Sequence, residues 1–169
     1  DIESLNFYDE LVNQKHLVTS ETMLKYLANL SRDNARTPMQ WNTEVNAGFS
    51  TATPWYAPNN NYPELIAQKS LSDKSSVFYH YKKLIALRHD SEVIRYGNFE
   101  PIDCDDDQVY AYRRHYEGQT ILVLSNFTDK TISRDYQQLN ADELLINNYT
   151  DDQGKTLRPY ESKVYLFKK

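Results

Sequence analysis

The sequence predicts an α+β chain in which a helical and loop segment is followed by a small antiparallel β-sandwich. Three observations carry the prediction. Apolar residues recur at helical spacing over two stretches before residue 90. After about Glu92 the apolar period falls to two, the spacing of strands with one buried face. Between the helical stretches, roughly forty residues from Ser31 to Asp73 follow neither period, which is unusual unless such a segment is functional or packs on another body. The expected division is 1–91 for helix and loop, and 92–169 for the β-domain.

The first helix is predicted from Ile2, Leu5, Tyr8, Leu11 and Val12, with Glu3, Asp9 and Glu10 between them. A second, capped by Thr19 or Ser20, carries Met23, Leu24, Leu27 and Leu30 on one face. Pro38, Pro54, Pro58 and Pro63, with the run Asn59 to Asn61, then keep the backbone out of regular elements. Asp73 or Ser75 opens a third helix whose stripe is Val77, Phe78, Tyr81, Leu84, Ile85 and Leu87, with Lys82, Lys83 and Arg88 on its far side. In the second half, 109–113 and 119–124 alternate in polarity around Glu117-Gly118, a hairpin signal. Strands are also expected at 142–147 and 162–168, with weaker ones at 98–103 and 131–136, giving six in all.

Composition narrows the function classes. Nineteen basic against 24 acidic side chains leave a net charge of −5 without a basic block, which argues against nucleic acid or an anionic membrane surface as partner. No apolar run approaches the roughly 18 residues of a membrane helix. The single Cys104 excludes an internal disulfide framework and a cysteine-based zinc site. The opening at Asp1, without the basic start and apolar run of a signal peptide, leads to the expectation of a cytoplasmic piece of a larger protein.

Most candidate motifs dissolve on inspection. Asp103, Asp105 and Asp107 begin like a calcium loop, but Gln108 stands where the pattern needs Gly and Arg114 where it needs Glu, so the run reads as a solvated turn. His16, His80, His89 and His115 are scattered without metal-ligand spacing, and no metal or other cofactor is expected. Tyr110, Tyr112 and Tyr165 sit at strand spacing, where tyrosine is favoured structurally. The stretch Ser31 to Trp41 differs. It places Arg32, Asp33, Asn34, Arg36, Gln40 and Trp41 around a rigid Pro38 turn. Arginine grips a carboxylate or adjacent hydroxyls with a planar fork, tryptophan supplies a flat apolar wall, and Asn and Gln donate and accept. That inventory suits a sugar pocket; a buried turn whose arginines pair with helix ends is the alternative.

Arg32-Asp33-Asn34-Ala35-Arg36-Thr37-Pro38-Met39-Gln40-Trp41, followed by Asn46-Ala47-Gly48-Phe49 and Pro54-Trp55, closely resembles the α-glucosidases of glycoside hydrolase family 13. The likeness continues in collinear order through Asn61-Tyr62, Ser76-Val77-Phe78-Tyr79, Leu84 to Arg88, Tyr96-Gly97 and Leu157-Arg158-Pro159-Tyr160-Glu161. The resemblance implies that 1–91 is the last loop and final helix of a (β/α)8 barrel whose strands are missing, and that 92–169 is the C-terminal β-domain. It implies a retaining α-glucosidase acting on isomalto-oligosaccharides or trehalose 6-phosphate, with the nucleophile and acid/base carboxylates both outside this chain, so the chain alone is expected to be inactive. Carried over by motif, Arg36 is the pocket arginine that pairs with an acidic residue and holds the terminal glucose; Arg32 is the weaker candidate. Gln40 and Trp41 are expected to shape the loop. Asn42 and Tyr56-Ala57-Pro58 depart from the family pattern, with possible consequences for substrate preference. Self-association through exposed helix faces, at Leu24, Leu27 and Phe78, is expected. The competing reading is a freestanding carbohydrate-binding or structural β-domain.

Overall fold

The computed structural model describes residues 1–168, and the chain forms two compact units, Asp1–Ser76 and the remainder from Val77. In the first unit, α1 (Ile2–Tyr8) is opened by Asp1, whose carboxylate accepts the Glu3 N–H at 3.2 Å. It runs on into a π-helical stretch, Asp9–Gln14, and ends before His16, where φ turns to 51°. Helix α2 (Ser20–Leu30) is capped by Thr19, whose hydroxyl accepts the Thr22 N–H at 3.2 Å. Such a cap contributes about 1 kcal/mol. The two helices face one another across Phe7, Leu11, Met23 and Leu27. Burial is sparse: Met23, Ala47 and Ile66 are the buried apolar residues of this unit. Leu24 and Leu30, expected on the packed face of α2, are 57% and 80% exposed.

The stretch expected to be wholly irregular contains a short helix, α3 (Ala67–Ser72). Its first residue follows Ile66, which offers no capping side chain. The helix is instead started by tertiary bonds, Ala67 N–H to the Gln40 carbonyl at 2.9 Å and Gln68 N–H to that of Trp41 at 3.0 Å. Nothing in the local periodicity encodes those partners.

In the second unit, α4 (Val77–Asp90) is followed by α5 (Glu92–Tyr96), so the period-two region begins at Asn98 rather than near Glu92. The strands are β1 (Asn98–Ile102), β2 (Val109–Tyr116), β3 (Gln119–Asn126), β4 (Ile132–Ser133), β5 (Glu143–Asn147), β6 (Thr156–Leu157) and β7 (Ser162–Lys168). They build a five-stranded antiparallel sheet in the order β1-β2-β3-β7-β5 and a two-stranded ribbon, β4-β6. The β2–β3 hairpin closes through Glu117 and Gly118, both at positive φ, the backbone that a two-residue I′ turn requires. The pair β4-β6 was not expected as a ribbon, and β6, only two residues long, is too short to show a period.

Alternation along the strands divides the sheet's residues between two cores. On one face Val109, Ala111, Leu122, Leu124 and Tyr165 pack with Ile132, Tyr136 and Leu157 from the ribbon side, which makes the sandwich lopsided. On the other, Ile121, Val123 and Leu166 pack with Val93 of α5. Each fully buried leucine or isoleucine contributes roughly 1.5–3 kcal/mol. The ribbon end also holds buried charge. The Arg158 guanidinium grips Glu161 through Nε (3.0 Å) and a terminal nitrogen (2.8 Å), and Lys163 Nζ donates to Asp152 Oδ1 (2.8 Å) and the Thr156 carbonyl (2.9 Å). Asp103, Asp105 and Asp107 of the acidic run are exposed, as a solvated turn requires, while Asp106 among them binds Arg134 Nε at 2.7 Å and caps the Gln108 and Val109 N–H groups.

Candidate saccharide-pocket loop

The Ser31–Trp41 motif lies within the first unit and begins as a single 3₁₀ turn, Arg32–Ala35. Ser31 opens that turn by accepting the Asp33 N–H on its hydroxyl at 3.3 Å. The turn brings Asp33 and Arg36 to one side, where Arg36 Nη1 donates to Asp33 Oδ1 at 3.2 Å. The Arg36 side chain remains 46% exposed, so the guanidinium is anchored without being covered. The Asp33 carboxylate also meets the Tyr56 hydroxyl. The carboxylate in turn pushes the Tyr56 phenol up. Asp33, Arg36 and Tyr56 therefore form one polar cluster.

Arg32 is placed elsewhere. Its guanidinium pairs with Glu3 of α1 at 3.3 Å and its N–H donates to the Asp1 carboxylate. The structure thus separates the two arginines: Arg36 belongs to the Asp33–Tyr56 cluster and Arg32 ties the turn to the first helix. Gln40 and Trp41 are held as loop scaffold. Gln40 Nε2 donates to the Leu65 carbonyl at 2.5 Å, and the Trp41 and Asn42 N–H groups both bond the Ala47 carbonyl, at 2.9 and 3.2 Å.

That carbonyl is presented by a left-handed turn. Asn46, Ala47 and Gly48 have φ of 53°, 57° and 67°, and the Asn46 amide clamps the Ser50 and Ala52 carbonyls at 2.8 and 3.0 Å. Glycine at 48 leaves room for the Asn42 side chain: a Cβ there would lie 2.3 Å from Asn42 Oδ1 and force it to move. Beyond the turn, Trp55 stacks on Tyr56 with ring centroids 5.4 Å apart and planes 14° from parallel. Tyr56 was legible only as a departure from a pattern; its contact with Asp33 depends on a fold-back of some twenty residues that local sequence does not encode.

Comparison with known proteins accounts for this loop. Residues 3–97 match the model of the alpha amylase catalytic domain, and 99–164 match the maltogenic amylase C-terminal domain. The chain belongs to the alpha-amylase family. It is 41% identical over 170 residues to an oligo-1,6-glucosidase of Heyndrickxia coagulans, covering all of this chain and 30% of that protein. It is 38% identical over 178 residues to the trehalose-6-phosphate hydrolase of Escherichia coli, covering 99% of this chain and 31% of that one. Among solved structures, a trehalose-6-phosphate hydrolase of Bacillus licheniformis superposes with a TM-score of 0.88 at 39% identity, over all of this chain and 32% of its own. An isomaltulose synthase from Klebsiella sp. LX3 does so with 0.88 at 33%, over 98% and 31%. This alpha-amylase family chain therefore spans about 30% of the length of the curated relatives it matches. The family models place their boundary at 97/99, whereas the compact units divide at 76/77.

No helix among the described residues is long and apolar enough to cross a membrane, and no group of His, Cys, Asp or Glu among them is arranged to hold a metal ion.

Proposed function

We propose that this chain is part of a retaining α-glucosidase acting on small α-glucosides, with Arg36 as the substrate-binding arginine. The observation that carries the reading is the half-exposed Arg36 guanidinium fixed on Asp33, in a chain collinear with oligo-1,6-glucosidases and trehalose-6-phosphate hydrolases. One nitrogen of the fork is committed to Asp33, which sets its plane, and a planar fork so oriented suits the adjacent hydroxyls of a terminal glucose. Retention requires two carboxylates about 5–5.5 Å apart. We assign neither to a residue of this chain.

In this reading 1–91 contributes the final loop and helix of a (β/α)8 barrel, where loops after the strands carry the chemistry. Residues 92–169 form the accompanying β-domain. The reaction needs no cofactor, and the protein acts in the cytoplasm. Leu24 and Phe78, 57% and 43% exposed, are the residues through which the isolated chain would self-associate. A freestanding carbohydrate-binding module is disfavoured because Arg36 and its loop belong to the stretch matching the catalytic-domain model.

The test compares the protein encoded by the native gene with this chain alone, on isomaltose, trehalose 6-phosphate and an aryl α-glucoside. Hydrolysis by the former with release of α-glucose, and none by the latter, is the expected result. Turnover by the isolated chain that survives repurification overturns the proposal, as does inertness of the gene product toward all three.

A further inference from the structure

We propose that the β-domain carries a binding groove for a neutral saccharide between the open end of its sheet and the segment 135–137, with Arg113 as the residue that grips the sugar hydroxyls. The proposal concerns the β-domain alone and stands whether or not Arg36 serves an α-glucosidase.

The strand register builds the floor. Glu100 pairs with Arg113, and His115 with Thr120, which in turn pairs with Phe167. Side chains alternate along each strand, so all five stand on the face that carries Ala111, Leu122 and Tyr165. Past the ribbon β4-β6 that face opens into a groove of about 640 Å³, walled by Asp135, Tyr136 and Gln137. Small-molecule sites run from about 300 to 1,000 Å³. The opposite face packs on Val93 of α5, and the match to the catalytic-domain model ends at residue 97, just after that helix. The groove therefore opens on the face turned away from α5, and a body packed on the α5 side leaves it open.

The bonding inside the groove is incomplete. His115 is satisfied: Nδ1 meets Thr120 Oγ1 at 2.9 Å and Nε2 meets Glu100 Oε2 at 2.7 Å. Arg113 is not. One terminal nitrogen donates to the Tyr136 carbonyl at 3.2 Å, which sets the plane of the guanidinium, and among the described residues no partner meets the rest of the fork. Tyr136 is 6% exposed and its hydroxyl has no hydrogen-bond partner, an omission that costs roughly 1–3 kcal/mol in a buried group. Burial, and next the nearby Asp103 carboxylate, push its phenol up to about 12, so the unmet group keeps its proton. Gln137, exposed at the rim, bonds its neighbours through its backbone alone.

Charge selects the class of ligand. Arg113 stands among Glu100, Asp103 and Asp135, the last already paired with Lys155. An anion drawn to the guanidinium would meet the carboxylates, and a cation drawn to the carboxylates would meet the guanidinium. A neutral molecule with many hydroxyls meets neither penalty. Its oxygens accept from Arg113, Tyr136 and Gln137, its hydroxyls donate to Glu100 and Asp103, and its C–H face rests on Phe167. A pyranose has those parts.

Amide shifts of the isotope-labelled chain, titrated with isomaltotriose and separately with sodium phosphate, test the proposal. Saturable isomaltotriose shifts are expected at Arg113, His115, Thr120 and Gln137, and none with phosphate. Arg113→Ala is expected to weaken binding about tenfold or more, as for one lost hydrogen bond to a charged group, and Gln137→Ala about threefold or more. Because Arg113→Ala also frees the Tyr136 carbonyl, Gln137→Ala decides the matter if the first variant does not fold. No saturable shift at these amides, an equal response to phosphate, or wild-type affinity in the deciding variant overturns the groove. Shifts confined to 31–56 overturn it as well, while leaving the reading of Arg36 intact.

Discussion

Lys163 and Glu161 place an ammonium and a carboxylate 3.4 Å apart, each sealed from solvent. Burying two charges carries a desolvation cost, which is offset only where further partners complete their bonding. Both are completed here: Glu161 by Arg158 and by Asn147 Nδ2 at 2.9 Å, Lys163 by Asp152 and two carbonyls. Arg158 also lies 3.9 Å from the Tyr149 ring centroid, which orients the guanidinium from above.

Removing either partner leaves the other with one ion pair fewer, Glu161 still held by Arg158 and Lys163 by Asp152. Lys163→Met or Glu161→Gln is expected to cost about 1.5–3 kcal/mol in urea unfolding, the range for a lost hydrogen bond to a charged group. The double variant is expected to lose less than the sum, because the bond shared by the two is counted once. Strict additivity would mean that the two residues do not act together.

The same network gives the protein an acid limit. Burial opposes ionisation of Glu161, but the hydrogen bonds from Arg158 and Asn147, with Lys163 nearby, bring its carboxyl down to about 2. A carboxyl depressed in the folded state stabilises it above the unfolded pKa, near 4.5, and that contribution is lost as pH falls toward about 2. Asp152 and Asp106 are shifted in the same direction, Asp152 by the Lys163 and Tyr165 bonds acting against burial and Asp106 by Arg134. Unfolding free energy of the second unit is therefore expected to be level between pH 5 and 7 and to fall steadily between pH 4.5 and 2. Glu161→Gln should flatten that fall; an unchanged slope would place the acid sensitivity elsewhere.

Gly48 and Gly118 share a positive φ but differ in surroundings: a Cβ at 48 meets Asn42 at 2.3 Å, whereas nothing lies within 4 Å of one at 118. Gly118→Ala is expected to cost about 1–2 kcal/mol, the strain of the left-handed backbone alone. Gly48→Ala must also displace the Asn42 side chain, which accepts the Glu44 N–H at 2.9 Å. Its signature is faster hydrogen exchange at the Trp41 and Asn42 amides, both bonded to the Ala47 carbonyl. Unchanged exchange there would show that the turn does not hold the motif in place.

What the sequence made legible follows from how each feature is encoded. The hairpin at Glu117-Gly118 and the helices α1, α2 and α4 are written in local spacing and capping, and they appear where expected. The helix α3 is started by the Gln40 and Trp41 carbonyls, and β6 exists only as the partner of β4; neither leaves a periodic trace. Arg36 is a candidate through its motif. The connection from Asp33 to Tyr56 was not legible, because a polar cluster assembled across a loop has no fixed spacing to read.

The two units differ in how much they bury, and amide exchange is expected to report it. The sheet carries two apolar cores, whereas the first unit buries Met23, Ala47 and Ile66 as its apolar residues. Amides of β2, β3 and β7 are expected to exchange near the limit of global unfolding and those of α1 and α2 much faster. Equal protection in both units would mean that the first unit is stabilised by contacts other than apolar burial. A concentration-dependent sedimentation coefficient, reduced by Phe78→Asp or Leu24→Asp, is the matching expectation for self-association.

Arg36 offers the most direct test of the proposed site. Its guanidinium is half exposed and bonded to Asp33, so truncation leaves no buried orphan within the first unit and the fold should persist. In the protein encoded by the native gene, Arg36→Ala is expected to lower kcat/KM by well over tenfold, more than about 1.4 kcal/mol of transition-state stabilisation. Loss of the fork leaves the terminal glucose loosely placed, and misplacement by about 1 Å can cost roughly 100-fold, so kcat should fall together with affinity. Arg36→Lys restores the charge without the planar geometry and should recover little. Arg32→Ala, removing a pair made with Glu3 of the first helix, should lower kcat/KM less than Arg36→Ala does. Retention of more than a tenth of wild-type kcat/KM by Arg36→Ala, at unchanged melting temperature, would remove Arg36 from the pocket and return Arg32 as the residue to try.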